Sequence, residues 1–276
     1  MGCFSDGFAV RTFHCVLTLL IFGSLLVQDT ELNRALQEKR YRAPAAMLLL
    51  VLLSIAFYFI SSNMNPGFVT RDDAKIEGYR ALVQSNREKS SPSSQSFAYS
   101  PQLCDICLVV QPVRAKHCLD CNRCVRRYDH HCPWIANCVG ERNHRYYVIF
   151  LIVESVLVCW ALKITCSAVV QRDTWSQWVY TNFIYTLDIL VLLCGALSVL
   201  LLVICHVYLI ATGLTTWEFV KHTRISYLKA YSECESPFDE GVISNFVTFF
   251  CYCKLKDWAP YLKGKRVRRN SASSLV

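Results

Sequence analysis

Charge is scarce in this chain. Asp, Glu, Lys and Arg make up 18% of its 276 residues, against 53% apolar and aromatic side chains, and the mean hydropathy is +0.27. Soluble domains usually carry roughly 25% charged residues, so this composition argues against a water-soluble protein. Two stretches hold no charge at all: residues 43–62, twenty long, and residues 189–213, twenty-five long. Each matches the roughly 20 residues needed to cross the hydrocarbon of a bilayer. A third apolar segment, residues 146–170, is interrupted by Glu154 and Lys163, and a fourth, residues 8–27, has Arg11 and His14 near its start. The polar QDTELNR that follows residue 27 lacks the small-residue site of a cleaved signal peptide. The sequence therefore predicts an α-helical integral membrane protein with four transmembrane helices.

The 29 basic residues set its orientation. Twelve lie in residues 63–145 and ten in residues 211–276, against four in residues 28–42 and one in residues 171–186. The two basic segments are expected on the cytosolic side together with both termini. The net charge of +8 is thus mostly an orientation signal, and its spread over several membrane-flanking segments speaks against nucleic acid as a partner. Glu154 and Lys163 are intramembrane charges with no assigned catalytic role; Lys163 is placed to reach the lumenal edge.

Composition divides the chain further. Residues 1–67 hold the first two spans and end in the turn sequence NPG (Asn65, Pro66, Gly67). Residues 68–100 read as a cytosolic helix followed by a Ser-rich linker, and residues 101–145 as a cysteine-rich domain between spans two and three. Residues 146–213 hold spans three and four, and residues 214–276 a cytosolic region with TTWE, SPFDEGVISN and a basic tail. No repeat of solenoid period is present.

Seven of the sixteen cysteines and four of the seven histidines fall in residues 101–145. Thiols stay reduced on the cytosolic side, so these are expected to bind metal rather than pair as disulfides. Two Cys3His zinc sites fit the spacing: Cys104, Cys107, His117 and Cys124 in one, Cys118, Cys121, His131 and Cys138 in the other. In both sets the second Cys precedes the His by ten residues and the His precedes the last Cys by seven. The cross-brace of a RING-type ubiquitin ligase needs a later Cys-x2-Cys pair, and none follows Cys124.

His130, Cys132 and His144 are left over. Cys132 stands two residues after His130, which Asp129 precedes, so nucleophile, base and orienting carboxylate lie together. The alternative is a spare thiol beside a loop histidine.

Asp129, His130, His131 and Cys132 spell DHHC, and from Cys104 to Asn143 the segment resembles the DHHC-type protein S-acyltransferases. The four spans, NPG where the family has DPG, TTWE matching TTxE, and SPFDEGVISN extend the likeness over most of the chain. Three positions depart from the pattern: Asn65 replaces Asp, Tyr147 stands where Phe is usual, and Ser236 stands where Asn is usual. The resemblance implies two structural Zn2+ ions and acyl-CoA as co-substrate. It makes Cys132 the acyl-accepting nucleophile, His130 its base and Asp129 the group orienting His130. Trp134 would line the active site, Thr216 would hydrogen-bond near Asp129, and Asn245 would tie the C-terminal segment to the core. The expected partners are acyl-CoA, the lipid bilayer and membrane-associated proteins with a cytosolic Cys, in Golgi or endoplasmic reticulum membranes. A non-catalytic zinc-stabilised scaffold is the competing function, since it needs the metal ligands but not Cys132.

Smaller signals complete the reading. Arg114, Lys116, Arg123, Arg126 and Arg127 are candidates for CoA phosphates or simple orientation charges. Ile243, Phe246, Val247 and Phe250 recur at helical spacing, for packing beneath the cysteine-rich core ahead of an interfacial role. Asp6 excludes the myristoylation pattern at Gly2. Cys3, Cys251 and Cys253 are candidate acylation sites, Ser271 a kinase site, and Ser274, Leu275 and Val276 a PDZ ligand.

Overall fold

The computed structural model describes residues 2–88, 102–229, 231–232, 235–252 and 255–264. The candidate acylation site Cys253, the kinase site Ser271 and the PDZ ligand 274–276 lie outside them. In chain order the helices are α1 (Gly2–Val27), α2 (Glu31–Gln37), α3 (Arg42–Asn63) and α4 (Asp73–Glu88). Six three-residue strands follow: β1 (Gln102–Cys104), β2 (Val109–Gln111), β3 (Lys116–Cys118), β4 (Arg123–Val125), β5 (His130–Cys132) and β6 (Asn137–Val139). Then come α5 (His144–Ser167), α6 (Trp175–Thr212), α7 (Thr216–Val220), α8 (Val242–Cys251) and α9 (Ala259–Gly264).

Among the described residues, four helices are long and apolar enough to span a bilayer: Gly7–Val27, Arg42–Asn63, His144–Ser167 and Trp175–Thr212. The last differs from the sequence reading, which starts the span at residue 189. Asp188 interrupts the apolar run but not the helix, which runs 38 residues. The chain divides into two compact units, one of residues 1–64, 132–137 and 145–206, the other of residues 65–131, 138–144 and 207–276.

The first unit is a helical bundle whose core gathers Leu25, Leu32, Met47, Val51, Leu157, Ala161, Ile164 and Leu192. Its outward faces carry exposed Leu20, Leu49, Leu52, Leu197 and Leu201, the distribution expected where lipid replaces water. Polar groups pair across the helices, as they must in an apolar medium. The Ser24 hydroxyl donates to Asp188 (2.5 Å) and Gln28 to the same oxygen (3.2 Å). Glu154 accepts a hydrogen bond from Ser54, and with His14 it is a polar group on the wall of a largely apolar cavity of about 110 Å³. Lys163 is exposed.

The second unit holds most of the cysteine-rich segment. β1 pairs antiparallel with β2 and β3 with β4, with Cys104 opposite Val109 and His117 opposite Cys124; β5 and β6 form the third two-stranded sheet. The NPG turn is explained by its side-chain oxygen: Asn65 Oδ1 accepts from the backbone N–H of Gly67 and Phe68, both at 2.9 Å. A carboxylate oxygen accepts the same two bonds, so Asn serves where Asp is usual. Ser236 likewise accepts from Phe238 N at 3.1 Å. Gly140 has no room for a side chain, since a Cβ there would lie 2.5 Å from Val125 Cγ1 and 2.6 Å from Pro66 O.

The TTWE segment is locked by a buried ion pair that spacing could not reveal. Arg114 Nε and Nη2 donate to the two Glu218 carboxylate oxygens at 2.8 and 2.5 Å, with both side chains 1% exposed. Thr215 N and Tyr227 Oη donate to the same carboxylate, Arg114 also donates to Gly213 O, and its guanidinium lies over the Phe238 and Trp258 rings. Arg114 is therefore an interior residue, neither a surface orientation charge nor a phosphate ligand.

The C-terminal helix α8 also departs from expectation. Asn245 and Phe249 face inward, whereas Ile243 is 82% and Val247 56% exposed. The expected packing of that apolar stripe beneath the core is thus corrected in part: Ile243 and Val247 face outward, whereas Phe246 and Phe250 are half-buried, with Phe250 against the ring of buried Phe249. Asn245 donates to Ala211 O at the end of α6 (2.8 Å) and to Asp239 (2.7 Å).

Candidate active site and metal centres

The three hairpins share one plan. Residues 102–111, 116–125 and 130–139 each run strand, four-residue turn, strand, and the residue closing each turn, Leu108, Asn122 or Ala136, has φ of 52°, 48° or 48°. The plan repeats every fourteen residues, which places Cys104, Cys118 and Cys132 at equivalent positions, likewise Cys107, Cys121 and Ile135. In the first two hairpins the turn presents a Cys-x2-Cys pair. In the third, Ile135 replaces the second Cys, so Cys132 is the first member of an incomplete pair.

The donors converge as the spacing predicts. Cys104, Cys107, His117 and Cys124 form one group and Cys118, Cys121, His131 and Cys138 the other, with the ligand atoms in each within 4.8 Å of one another. His117 Nδ1 lies 3.7, 3.2 and 3.9 Å from the sulfurs of Cys104, Cys107 and Cys124. His131 Nδ1 lies 3.7, 3.4 and 3.6 Å from those of Cys118, Cys121 and Cys138. Ligands around a tetrahedral zinc ion are about 3.5–3.8 Å apart, so both sets fit that ion. Each set draws its Cys-x2-Cys from one hairpin and its His and last Cys from the next.

Asp129 is buried and multiply held. Its Oδ2 accepts from Thr216 Oγ1 (2.7 Å) and pairs with His130 Nδ1 (2.7 Å), while Oδ1 accepts from Thr216 N (2.9 Å). The Thr216 N–H at the start of α7 is one that a helix leaves unpaired, and α7 is fixed by the Thr215–Glu218 capping box and by Arg114. Arg114, Glu218, the start of α7 at Thr216, Asp129 and His130 thus form one continuous run of contacts. His144, unassigned by spacing, has its Nε2 3.7 Å from Asp129 Oδ1 and its ring edge-on to Phe249. Its sequence signal was its place among the leftover donors.

Cys132 lies on the hairpin tip counted with the first unit. α3 grips that tip: Tyr58 Oη donates to Trp134 O (3.1 Å), Ser62 Oγ to Ile135 O (2.8 Å), and Asn137 Nδ2 to Ser61 O and Met64 O. The Cys132 side chain is buried, whereas the Trp134 ring is 70% exposed.

The other basic candidates are mostly occupied. Arg126 pairs with Glu141 (2.7 Å), whose other oxygen accepts from Trp258 Nε1 and Lys256 N. The Lys116 ammonium lies 3.2 Å from the centroid of the Trp217 ring, and burial lowers its pKa. Burial, and then the like charge of Arg114, lower that of Arg127 to about 10. Arg123 remains exposed, over the Phe68 ring.

Comparison with known proteins agrees with this geometry. The family model described as DHHC palmitoyltransferase matches residues 98–223. The chain is 38% identical to Palmitoyltransferase ZDHHC12 of Homo sapiens over 258 residues, covering 92% of this chain and 91% of that one. It is 40% identical to the Mus musculus protein of the same name over 252 residues, 90% and 89% of the two chains. Against Palmitoyltransferase ZDHHC12-A of Danio rerio it is 38% identical over 270 residues, 98% of each. With a cysteine-rich zinc-binding fold, four bilayer-length helices and this coverage, the chain belongs to the DHHC palmitoyltransferase family of protein S-acyltransferases.

Proposed function

We propose that this protein carries a long-chain acyl group, palmitoyl in particular, from acyl-CoA to cysteines of membrane-associated proteins by a ping-pong route through an acyl-enzyme on Cys132. The observation that carries the reading is the donor count: two Cys3His sets consume eight ligands and leave Cys132 outside, two residues from a histidine held by a buried carboxylate.

The Asp129 bond selects the His130 tautomer protonated on Nδ1 and leaves the Nε2 lone pair to take the Cys132 proton. The thiolate displaces CoA from the thioester, and a substrate thiol then displaces Cys132. Each exchange trades one thioester for another, so no ATP is needed. Zinc, when bound, supplies cross-links between successive hairpins. Trp134 lines the site, and Arg123, exposed on its own hairpin, is the basic candidate for CoA phosphate. The modified protein gains about 0.8 kcal/mol of membrane affinity per buried CH2.

In this reading both termini and the cysteine-rich domain are cytosolic, exposed Ile243 and Val247 of α8 rest in the membrane interface, and the protein resides in Golgi or endoplasmic reticulum membranes. The test is acyl-CoA labelling of purified wild-type and Cys132→Ser protein with zinc quantified in both. Hydroxylamine-labile label on wild type alone, with about two zinc ions in each protein, supports the mechanism. Equal labelling, or zinc lost with Cys132, overturns it in favour of a zinc-stabilised scaffold.

A further inference from the structure

Tyr147 stands near the start of α5 where the family pattern has Phe, and a hydroxyl is all that separates the two side chains. That hydroxyl lies 4.0 Å from Cys132 Sγ, and both residues are 3% exposed. Neither group has much freedom. The hairpin tip bearing Cys132 is gripped by Tyr58, Ser62 and Asn137, and the Tyr147 ring packs edge to face on buried His206, centroids 5.4 Å apart.

The separation is long for a hydrogen bond to sulfur itself. It suits a donor aimed at the next group along: the oxygen of an acyl group on Sγ lies two bonds beyond the sulfur, and a stabilising donor sits about 2.7–3.1 Å from that oxygen. We propose that the Tyr147 hydroxyl is a catalytic hydrogen-bond donor to the acyl oxygen in both thioester exchanges, a role that rests on Cys132 being the acyl acceptor.

In the first exchange the Cys132 sulfur bonds to the thioester carbon and the carbonyl π pair moves onto oxygen, where the Tyr147 O–H receives the charge without giving up its proton. Collapse restores the carbonyl and breaks the bond to the CoA sulfur, which leaves with the proton that Cys132 gave to His130. In the second exchange His130 takes the proton of the substrate thiol, whose sulfur attacks the same carbon; the same oxygen becomes charged, and the Cys132 sulfur leaves and recovers that proton from His130. A donor fixed in place in a water-poor pocket stabilises such charge without reorganising.

The experiment uses full-length Tyr147→Phe, which keeps the ring and its packing. Three rates are measured beside wild type: autoacylation across acyl-CoA concentrations, transfer from the isolated acyl-enzyme to a cysteine peptide, and alkylation of Cys132 by iodoacetamide followed by mass spectrometry. The expected result is a maximal acylation rate about 100-fold lower with half-saturation unchanged, and transfer slowed by a similar factor. Alkylation stays at the wild-type rate, because displacement at a saturated carbon builds no oxyanion. Wild-type acylation by Tyr147→Phe overturns the role. So does a loss of alkylation in step with acylation, which would mark Tyr147 as a residue that merely positions the thiol. A Cys132→Ser control separates the two levels: label that survives it overturns the acyl-enzyme reading itself, whereas label lost with it but untouched by Tyr147→Phe overturns the Tyr147 role alone.

Discussion

The Arg114–Glu218 pair is where the fold is most exposed to a single substitution. Arg114→Ala leaves a carboxylate 1% exposed with two neutral donors, Thr215 N and Tyr227 Oη, in place of a bidentate guanidinium. Removing one partner of a buried pair destabilises by about 3–5 kcal/mol, and here the guanidinium's contacts with Phe238 and Trp258 are lost as well. Replacing both partners by apolar residues of similar volume, Arg114→Met with Glu218→Leu, removes the stranded charge and is expected to restore most of the stability. Denaturation in detergent of wild type, Arg114→Met, Glu218→Leu and the double variant makes a double-mutant cycle. Because α7 carries Thr216, the single variants should lose autoacylation more steeply than stability alone explains. A cost of less than about 1 kcal/mol for Arg114→Ala, the range of an exposed pair, would refute the placement of this pair as the lock on α7.

Three further outcomes are expected. Thr216→Ala removes the hydroxyl bond to Asp129 and should slow autoacylation about 10-fold or more, as loss of a hydrogen bond to a charged group does, while Thr216→Ser retains most activity; equal loss in both would count against the hydroxyl. Ile135→Cys completes a third Cys-x2-Cys pair, so added zinc should inhibit acylation of that variant and spare wild type; matching inhibition curves would contradict the equivalence of the three hairpins. Ile243→Glu with Val247→Glu should leave detergent stability within about 0.5 kcal/mol, as surface changes do, and weaken activity in bilayers; a large drop in detergent stability would mean the stripe is packed after all.

What could be read from the sequence follows from how local each signal is. The metal sets were legible because their ligands are bound to a hairpin period, so Cys-x2-Cys and His-x6-Cys spacings carry the geometry directly. The spans were legible because a bilayer imposes a length, although α6 continues past Asp188, whose charge is answered by Ser24 on α1 and by Gln28 just past the end of α1. Arg114 and Glu218 are 104 residues apart, and nothing near either announces that both are buried. α8 shows the opposite limit: periodicity identified its apolar stripe but not the direction in which the stripe faces. The placement of His144 beside Asp129, fifteen residues earlier, was not legible because no motif spacing ties the two.

The shared middle hairpin has a mechanical consequence. His117 and Cys118 are adjacent in the chain but belong to different donor sets, so with zinc bound to both, hairpin β3–β4 would be a link with one hand on each ion. Release of the ion nearer the N-terminus slackens the strand that carries a ligand of the second, while the second ion still fastens His131, the residue between His130 and Cys132. With zinc in both sets the segment should fray from its N-terminal end, and Cys132 sits beside the fastening that lets go last.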